Sequence, residues 1–207
     1  MKNITILAAI ALCCASTSFC QPVRDKSLSI CLSGGPSLAS SGDMNGLYVS
    51  TTLSKRINKW SYAIELSSTV HDKQNEILYK APDGSLNDAS VRSTTSGIQL
   101  NSLVGYSVIK DEKDDLTLAL GAAIRYQTTS VYDDYFVLYP SITGLNYPVV
   151  LFNNSSPMRS FAIGPVLKGS YTYSISPKLG VALMAAFQFD THGDNFFNRG
   201  LSITYKL

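Results

Sequence analysis

Glu65, Arg125 and Lys168 stand inside stretches that are otherwise uncharged. A charge taken out of water must be paired or hydrated, because an isolated buried charge is very costly. One carboxylate and two cations in such settings suggest an ion network. His71 and His192 are the only histidines, and two histidines without further ligands make no metal site. Both are expected as solvated residues that open loops. The sequence has no Gly-rich phosphate loop and no Cys/His cluster, so no cofactor or metal is expected.

The N-terminus sets the compartment. Lys2 precedes an apolar run from Ile4 to Ala15, followed by Ser16-Thr17-Ser18-Phe19-Cys20. This order of charge, apolar run and small-residue site is that of a secretory signal peptide. The run is about 12 residues, where a membrane helix needs roughly 20. Cleavage is expected after Cys20, giving a leader of residues 1–20 and one domain over residues 21–207. None of Cys13, Cys14 and Cys20 follows a small apolar residue, which disfavours a lipoprotein signal. Cleavage would remove these three and leave Cys31, so no internal disulfide is expected. The whole chain carries 17 basic and 15 acidic residues; without Lys2, 16 and 15 remain. That balance gives no electrostatic case for nucleic acid.

The charged residues are positioned by repeated period-two alternation. Leu116, Leu118, Leu120, Ala122, Ile124 and Tyr126 share one parity; Thr117, Ala119, Gly121, Ala123, Arg125 and Gln127 share the other. A strand sends alternate side chains to opposite faces, so each such segment has one apolar face and one small, polar face. The pattern recurs around 60–67, 98–108, 161–171, 179–189 and 200–207, with weaker strands around 28–33 and 47–53. Eight strands follow. Their connections alternate: short at 55–59, 111–114 and 176–177, long at 71–91 and 132–157, intermediate at 36–45 and 191–195. This predicts an all-β, eight-stranded antiparallel up-and-down transmembrane β-barrel, with short periplasmic turns and longer extracellular loops.

A soluble barrel of lipocalin type has the opposite polarity, apolar inside and polar outside. Charge placement separates the two. Glu65, Arg125 and Lys168 all lie on the small-residue parity, and the apolar parity reads as uncharged between its aromatic ends. An uncharged apolar surface across many strands is a liability in water and a requirement in lipid. Aromatics mark the two ends of that surface. Trp60, Tyr62, Tyr106, Tyr171, Tyr173 and Tyr205 lie near the short turns; Tyr126, Phe161, Phe187, Phe189 and Phe197 lie near the long loops. From Leu116 to Tyr126 the strand runs roughly 33 Å at about 3.3 Å per residue. Tilted by about 40°, it spans roughly 25 Å of height, as the apolar band of such barrels does.

On these alternating strands and girdles the chain resembles the small outer-membrane β-barrel, or porin-family, proteins of Gram-negative bacteria. Its last strand, Gly200 to Leu207, resembles the C-terminal segment by which such barrels are recognised for insertion, although it ends in Leu207 rather than an aromatic residue. The resemblance implies a place in the cell outer membrane, in contact with its lipid and with the barrel-insertion machinery. Some eight-stranded barrels are lipid A deacylases with a His, a Ser and an Asn near the C-terminal strand. His192 and Asn195 are similar to these, but Asp194 stands where the Ser belongs. No enzyme activity is therefore expected.

The interior charges then have two readings. They form an ion network that plugs the lumen, or a gate or selectivity element in a narrow channel for small solutes. The plug is favoured because an eight-stranded barrel must fill its interior with side chains anyway. The long connection from Tyr132 to Pro157 is too apolar for a plain solvated loop. With Tyr132, Tyr135, Tyr139 and Tyr147 it offers an aromatic surface for an extracellular partner, or a self-packed hairpin. Tyr135 to Tyr139 and Tyr147 to Phe152 are too short to cross a membrane as further strands. The expected role is structural or surface-interacting, with the channel second and a lipid A-modifying enzyme third.

Overall fold

A computed structural model describes residues 26–39, 43–80, 84–132, 134–153 and 159–207. The proposed leader and cleavage site lie outside the described residues. Eight strands close a barrel in the order β1 (Lys26–Ala39), β12 (Asn195–Lys206), β11 (Leu179–Phe189), β10 (Arg159–Ser174), β7 (Asp114–Thr129), β6 (Val91–Lys110), β3 (Trp60–Asn75) and β2 (Met44–Ile57). Each pairs antiparallel with its sequence neighbour in the barrel, and β1 closes on β12 from Ser29↔Lys206 to Ala39↔Phe196. The described residues include no helix long and apolar enough to cross a membrane, a statement that does not bear on strands.

The strands form because their alternation matches a two-sided environment. Leu118, Leu120 and Ile124 of β7 are exposed, while Ala123, Arg125 and Gln127 are buried. The same rhythm runs through β6, where Ile98, Leu100 and Val104 face out and Gln99, Asn101 and Leu103 face in. Three turns are tight, at 58–59, 111–113 and 175–178. Asn58 takes the left-handed conformation (φ 59°), which asparagine tolerates in a hairpin turn.

The strands run further beyond the expected band than their apolar cores suggest. β3 continues to Asn75, so His71 lies within a strand, opposite Thr95, and not at the start of a loop. β1 continues through Pro36 to Ala39, and β12 begins at Asn195. Pro36 stands in register with Leu47 of β2, while the β1–β12 register skips from Gly34↔Leu201 to Ser37↔Asn198. At this seam the backbones approach closely. A Cβ on Gly35 would lie 2.2 Å from the Arg199 carbonyl oxygen, so the seam requires glycine there.

Two small hairpins stand apart from the barrel ladder. β4 (Leu78–Lys80) pairs with β5 (Leu86–Asp88), and β8 (Asp134–Leu138) pairs with β9 (Val149–Asn153). A single helical turn, α1 (Pro140–Thr143), caps the second hairpin and ends at Gly144. The apolar segments of the long loop therefore pair with each other as a separate two-stranded sheet and add no strand to the barrel.

Candidate functional site

The alternation of β3, β7 and β10 brings Glu65, Arg125 and Lys168 to the interior. Glu65 is 2% exposed and forms an ion pair with Lys168 across the lumen. Thr52 Oγ1 and Asn101 Nδ2 donate to its two carboxylate oxygens at 2.9 and 2.8 Å, and Gln99 Nε2 donates to Asn101 Oδ1 at 2.6 Å. Glu65 thus has a cation and two neutral donors, the conditions under which a buried carboxylate is tolerated.

Arg125 does not join that pair, which corrects the expectation of one three-residue network. It is 1% exposed and donates through Nη2 to Thr69 Oγ1 and through Nε to Gln127 Oε1, both at 2.8 Å. Its guanidinium lies 4.1 Å from the ring centroid of Phe196, a cation–π contact. Gln127 Nε2 in turn donates to Asp194 Oδ2 at 2.9 Å, tying this group to the connection between β11 and β12. Arg125 sits opposite Gln99 and the Glu65 layer sits opposite Asn101, so the two charge centres occupy successive levels.

A third polar group was not read from the sequence. His71, fully buried, packs against Phe196 at 5.5 Å between ring centroids. Its Nε2 lies 2.7 Å from Ser37 Oγ, and the Ser37 hydroxyl donates to Asn198 Oδ1 at 2.5 Å. That direction makes His71 Nε2–H the donor and leaves Nδ1 as acceptor; Nδ1 has no hydrogen-bond partner among the described residues. Ser37 is itself buried, so this Ser–His contact lies within the packed interior. The signal that finds His71 is parity: it continues the inward series Glu65, Ser67, Thr69. Tyr48, whose hydroxyl donates to Ser50 Oγ at 2.6 Å, continues the inward series of β2 in the same way.

Below the Glu65–Lys168 pair the interior is different. A cavity of about 390 Å³ runs toward the short-turn end, lined by Ser29, Ser54, Ser170 and Thr204 among other small residues. Arg56, paired with Asp115, stands in its wall.

The outer surface carries the expected aromatics. Trp60, Tyr62, Tyr106, Tyr171, Tyr173 and Tyr205 are exposed toward the short-turn end, and Tyr126, Phe161, Phe187, Phe189 and Phe197 toward the other. Trp60 packs edge-on to Tyr106, and Tyr126 lies 4.8 Å from Phe161. One charge interrupts this surface. Arg199 is exposed on the outward parity between Phe197 and Leu201, in contrast to the uncharged face read from the sequence. It sits one outward position from the aromatic end, where a long side chain reaches the interface.

His192 lies in the β11–β12 connection, exposed, with Nε2 2.9 Å from the Phe161 carbonyl oxygen. Asp190 Oδ1 accepts the backbone N–H groups of His192 and Asp194, so this segment is built as a turn. Among the described residues no group of three or more His, Cys, Asp or Glu is arranged to hold a metal ion. In the long connection Tyr132 packs against Tyr135 and Phe152, while Tyr135, Phe136, Tyr139 and Tyr147 are exposed. The hairpin is thus partly self-packed and partly presented.

No protein-family model matches the chain, and no curated protein matches it. Solved structures do. Neisserial surface protein A aligns with a TM-score of 0.55 at 11% identity, covering 88% of this chain and 96% of that one. Ail, the attachment invasion locus protein of Yersinia pestis, in a complex with a heparin analogue, aligns with a TM-score of 0.51 at 10% identity, covering 88% and 99%. At these identities the likeness concerns the fold. An apolar exterior between two aromatic girdles, a polar interior and these matches together place the chain among the eight-stranded barrels of the bacterial outer membrane.

Proposed function

We propose that this protein is a non-enzymatic outer-membrane barrel with a plugged lumen, acting through its extracellular surface. The observation that carries the reading is the contrast between interior and hairpin. In the outer half of the lumen, Arg125, Glu65, His71 and Tyr48 are buried and bonded to neighbours. The β8–β9 hairpin instead presents Tyr135, Phe136, Tyr139 and Tyr147 to solvent. Exposed Tyr of this density suits protein or glycan recognition, because the ring offers apolar area and a hydroxyl at low entropic cost. The attachment role in the name of one structural neighbour agrees with this reading.

The test compares cells displaying the protein with cells displaying a variant in which Tyr135, Tyr139 and Tyr147 are serine, at equal surface level. Adhesion to host-cell monolayers and to heparin-coated plates is measured. The reading predicts adhesion by the first and its loss in the second; equal adhesion by both overturns it. A narrow channel for small solutes is the rival, favoured by the cavity in the periplasmic half of the lumen.

A further inference from the structure

Arg199 is a charge that the fold itself leaves unserved. It is exposed on the outward parity of β12, between Phe197 and Leu201, on the face that meets lipid. Among the described residues it has no hydrogen-bond or ion-pair partner. A guanidinium keeps its proton and carries five N–H donors. Without an acceptor it is costly beside hydrocarbon, which is why an ionisable residue at membrane depth marks a functional site.

The wall around Arg199 is bare. Ala185 stands directly opposite on β11, and across the seam with β1 the outward positions at this level are Gly34 and Pro36. Larger side chains frame them: Phe187 and Phe197 toward the loops, Leu183 and Leu201 toward the short turns. A shallow depression results, with one cation at its edge. Strand packing does not impose the glycine at its floor. A Cβ on Gly34 would meet nothing nearer than the Tyr48 carbonyl oxygen at 3.6 Å, an ordinary contact, whereas one on Gly200 would lie 2.2 Å from the Gly34 carbonyl oxygen. Along β12, Arg199 is nearer to Asn195, where the strand begins at the loop end, than to Tyr205 at the other girdle. The depression therefore faces the extracellular leaflet, and the long side chain reaches past Phe197 to the headgroups. In a bacterial outer membrane that leaflet is built of lipid A, a phosphorylated glucosamine disaccharide bearing several acyl chains.

We propose that the outer wall formed by β11, β12 and β1 is a binding site for one molecule of lipid A. A lipid A phosphate accepts charge-assisted hydrogen bonds from the Arg199 guanidinium, whose planar fork matches phosphate oxygens. An acyl chain lies across the depression at Gly34 and Ala185, where no side chain stands in its way. The phosphate supplies the acceptor that the protein lacks, and the acyl chain fills surface that would otherwise pack poorly against lipid. The site lies on the lipid-facing wall and is independent of the extracellular hairpin.

The protein is extracted from outer membranes into detergent, washed until native mass spectra show it free of lipid, and titrated with three lipids. These are bisphosphorylated lipid A, the same lipid with both phosphates removed, and phosphatidylglycerol. The spectra count the bound copies. The proposal predicts a saturable one-copy adduct with lipid A, about tenfold weaker binding of the dephosphorylated form, and several-fold weaker binding of phosphatidylglycerol. Arg199→Gln is expected to lower lipid A affinity about tenfold while its heat-dependent gel shift shows a folded barrel, since the change removes a charge from the lipid-facing wall. Gly34→Leu, which fills the depression, is expected to weaken lipid A binding several-fold. Should either variant misfold, the three-lipid ranking on the unaltered protein decides alone. Equal binding of the dephosphorylated lipid overturns the proposal, as does unchanged lipid A binding by folded Arg199→Gln or Gly34→Leu. Equal binding of phosphatidylglycerol also overturns it, because the site would then hold any lipid phosphate.

Discussion

The two halves of the barrel interior are built by the same strands with the same alternation, yet they differ in almost every physical respect. Toward the extracellular loops the inward positions hold Tyr48, His71, Arg125, Gln127 and Phe196, all buried. Toward the short turns they hold Ser29, Ser54, Ser61, Ala119 and Ser170 around a cavity. Both halves are polar, as lipid-embedded barrels require. The difference lies in side-chain volume and connectivity. Polarity on the inward parity therefore decides which face meets lipid, while the size of those residues decides whether the lumen is occupied.

The largest test of that comparison is Glu65→Ala. It leaves the Lys168 ammonium without its carboxylate at the boundary between the halves, and removes the acceptor of Thr52 and Asn101. Breaking a buried pair from one side costs about 3–5 kcal/mol. Urea-driven unfolding of vesicle-embedded protein is expected to shift by that amount. A shift below about 1 kcal/mol, the range of exposed pairs, would show that the pair is hydrated and not part of a packed layer.

Gly97→Ala probes the filled half by adding one methyl group. A Cβ there would lie 2.7 Å from the Arg125 guanidinium carbon, and that guanidinium is held by Thr69, Gln127 and Phe196. Overpacking of this kind costs about 1–3 kcal/mol. The same unfolding experiment reads it, and a neutral outcome would mean that Arg125 moves freely.

Thr172→Ala makes a comparable change in the open half. Thr172 lines the cavity, so its hydroxyl has water to lose to, and the expected change is within about 0.5 kcal/mol. A cost as large as that of Gly97→Ala would erase the distinction between the halves.

How far the sequence discloses this arrangement follows from the range of each signal. Strand identity, inward parity and the aromatic girdles are local properties, repeated every two residues, and so they are legible at Leu116 to Gln127 without any tertiary knowledge. Strand ends are not. Beyond Val70, the run from His71 to Asn75 has no apolar residue to mark a lipid-facing strand, because it stands where the exterior meets water, and His71 is consequently read as a loop residue. Pro36 is read as the start of a connection because its missing N–H normally excludes it from a ladder, whereas the structure keeps it in β1, in register with Leu47 of β2. The separation of Arg125 from Glu65 and Lys168 is set by strand stagger around the barrel. All three share the inward parity, and nothing local in the sequence fixes the level at which each one points inward.

In the proposed function the Glu65 and Arg125 layers close the lumen of the native barrel. Single-channel recording across a planar bilayer, on protein whose folding is verified by a heat-dependent gel shift, tests it most directly. A silent bilayer is expected for the unaltered protein. Reproducible open steps from that folded protein would contradict it and establish the interior charges as the lining of a conducting path.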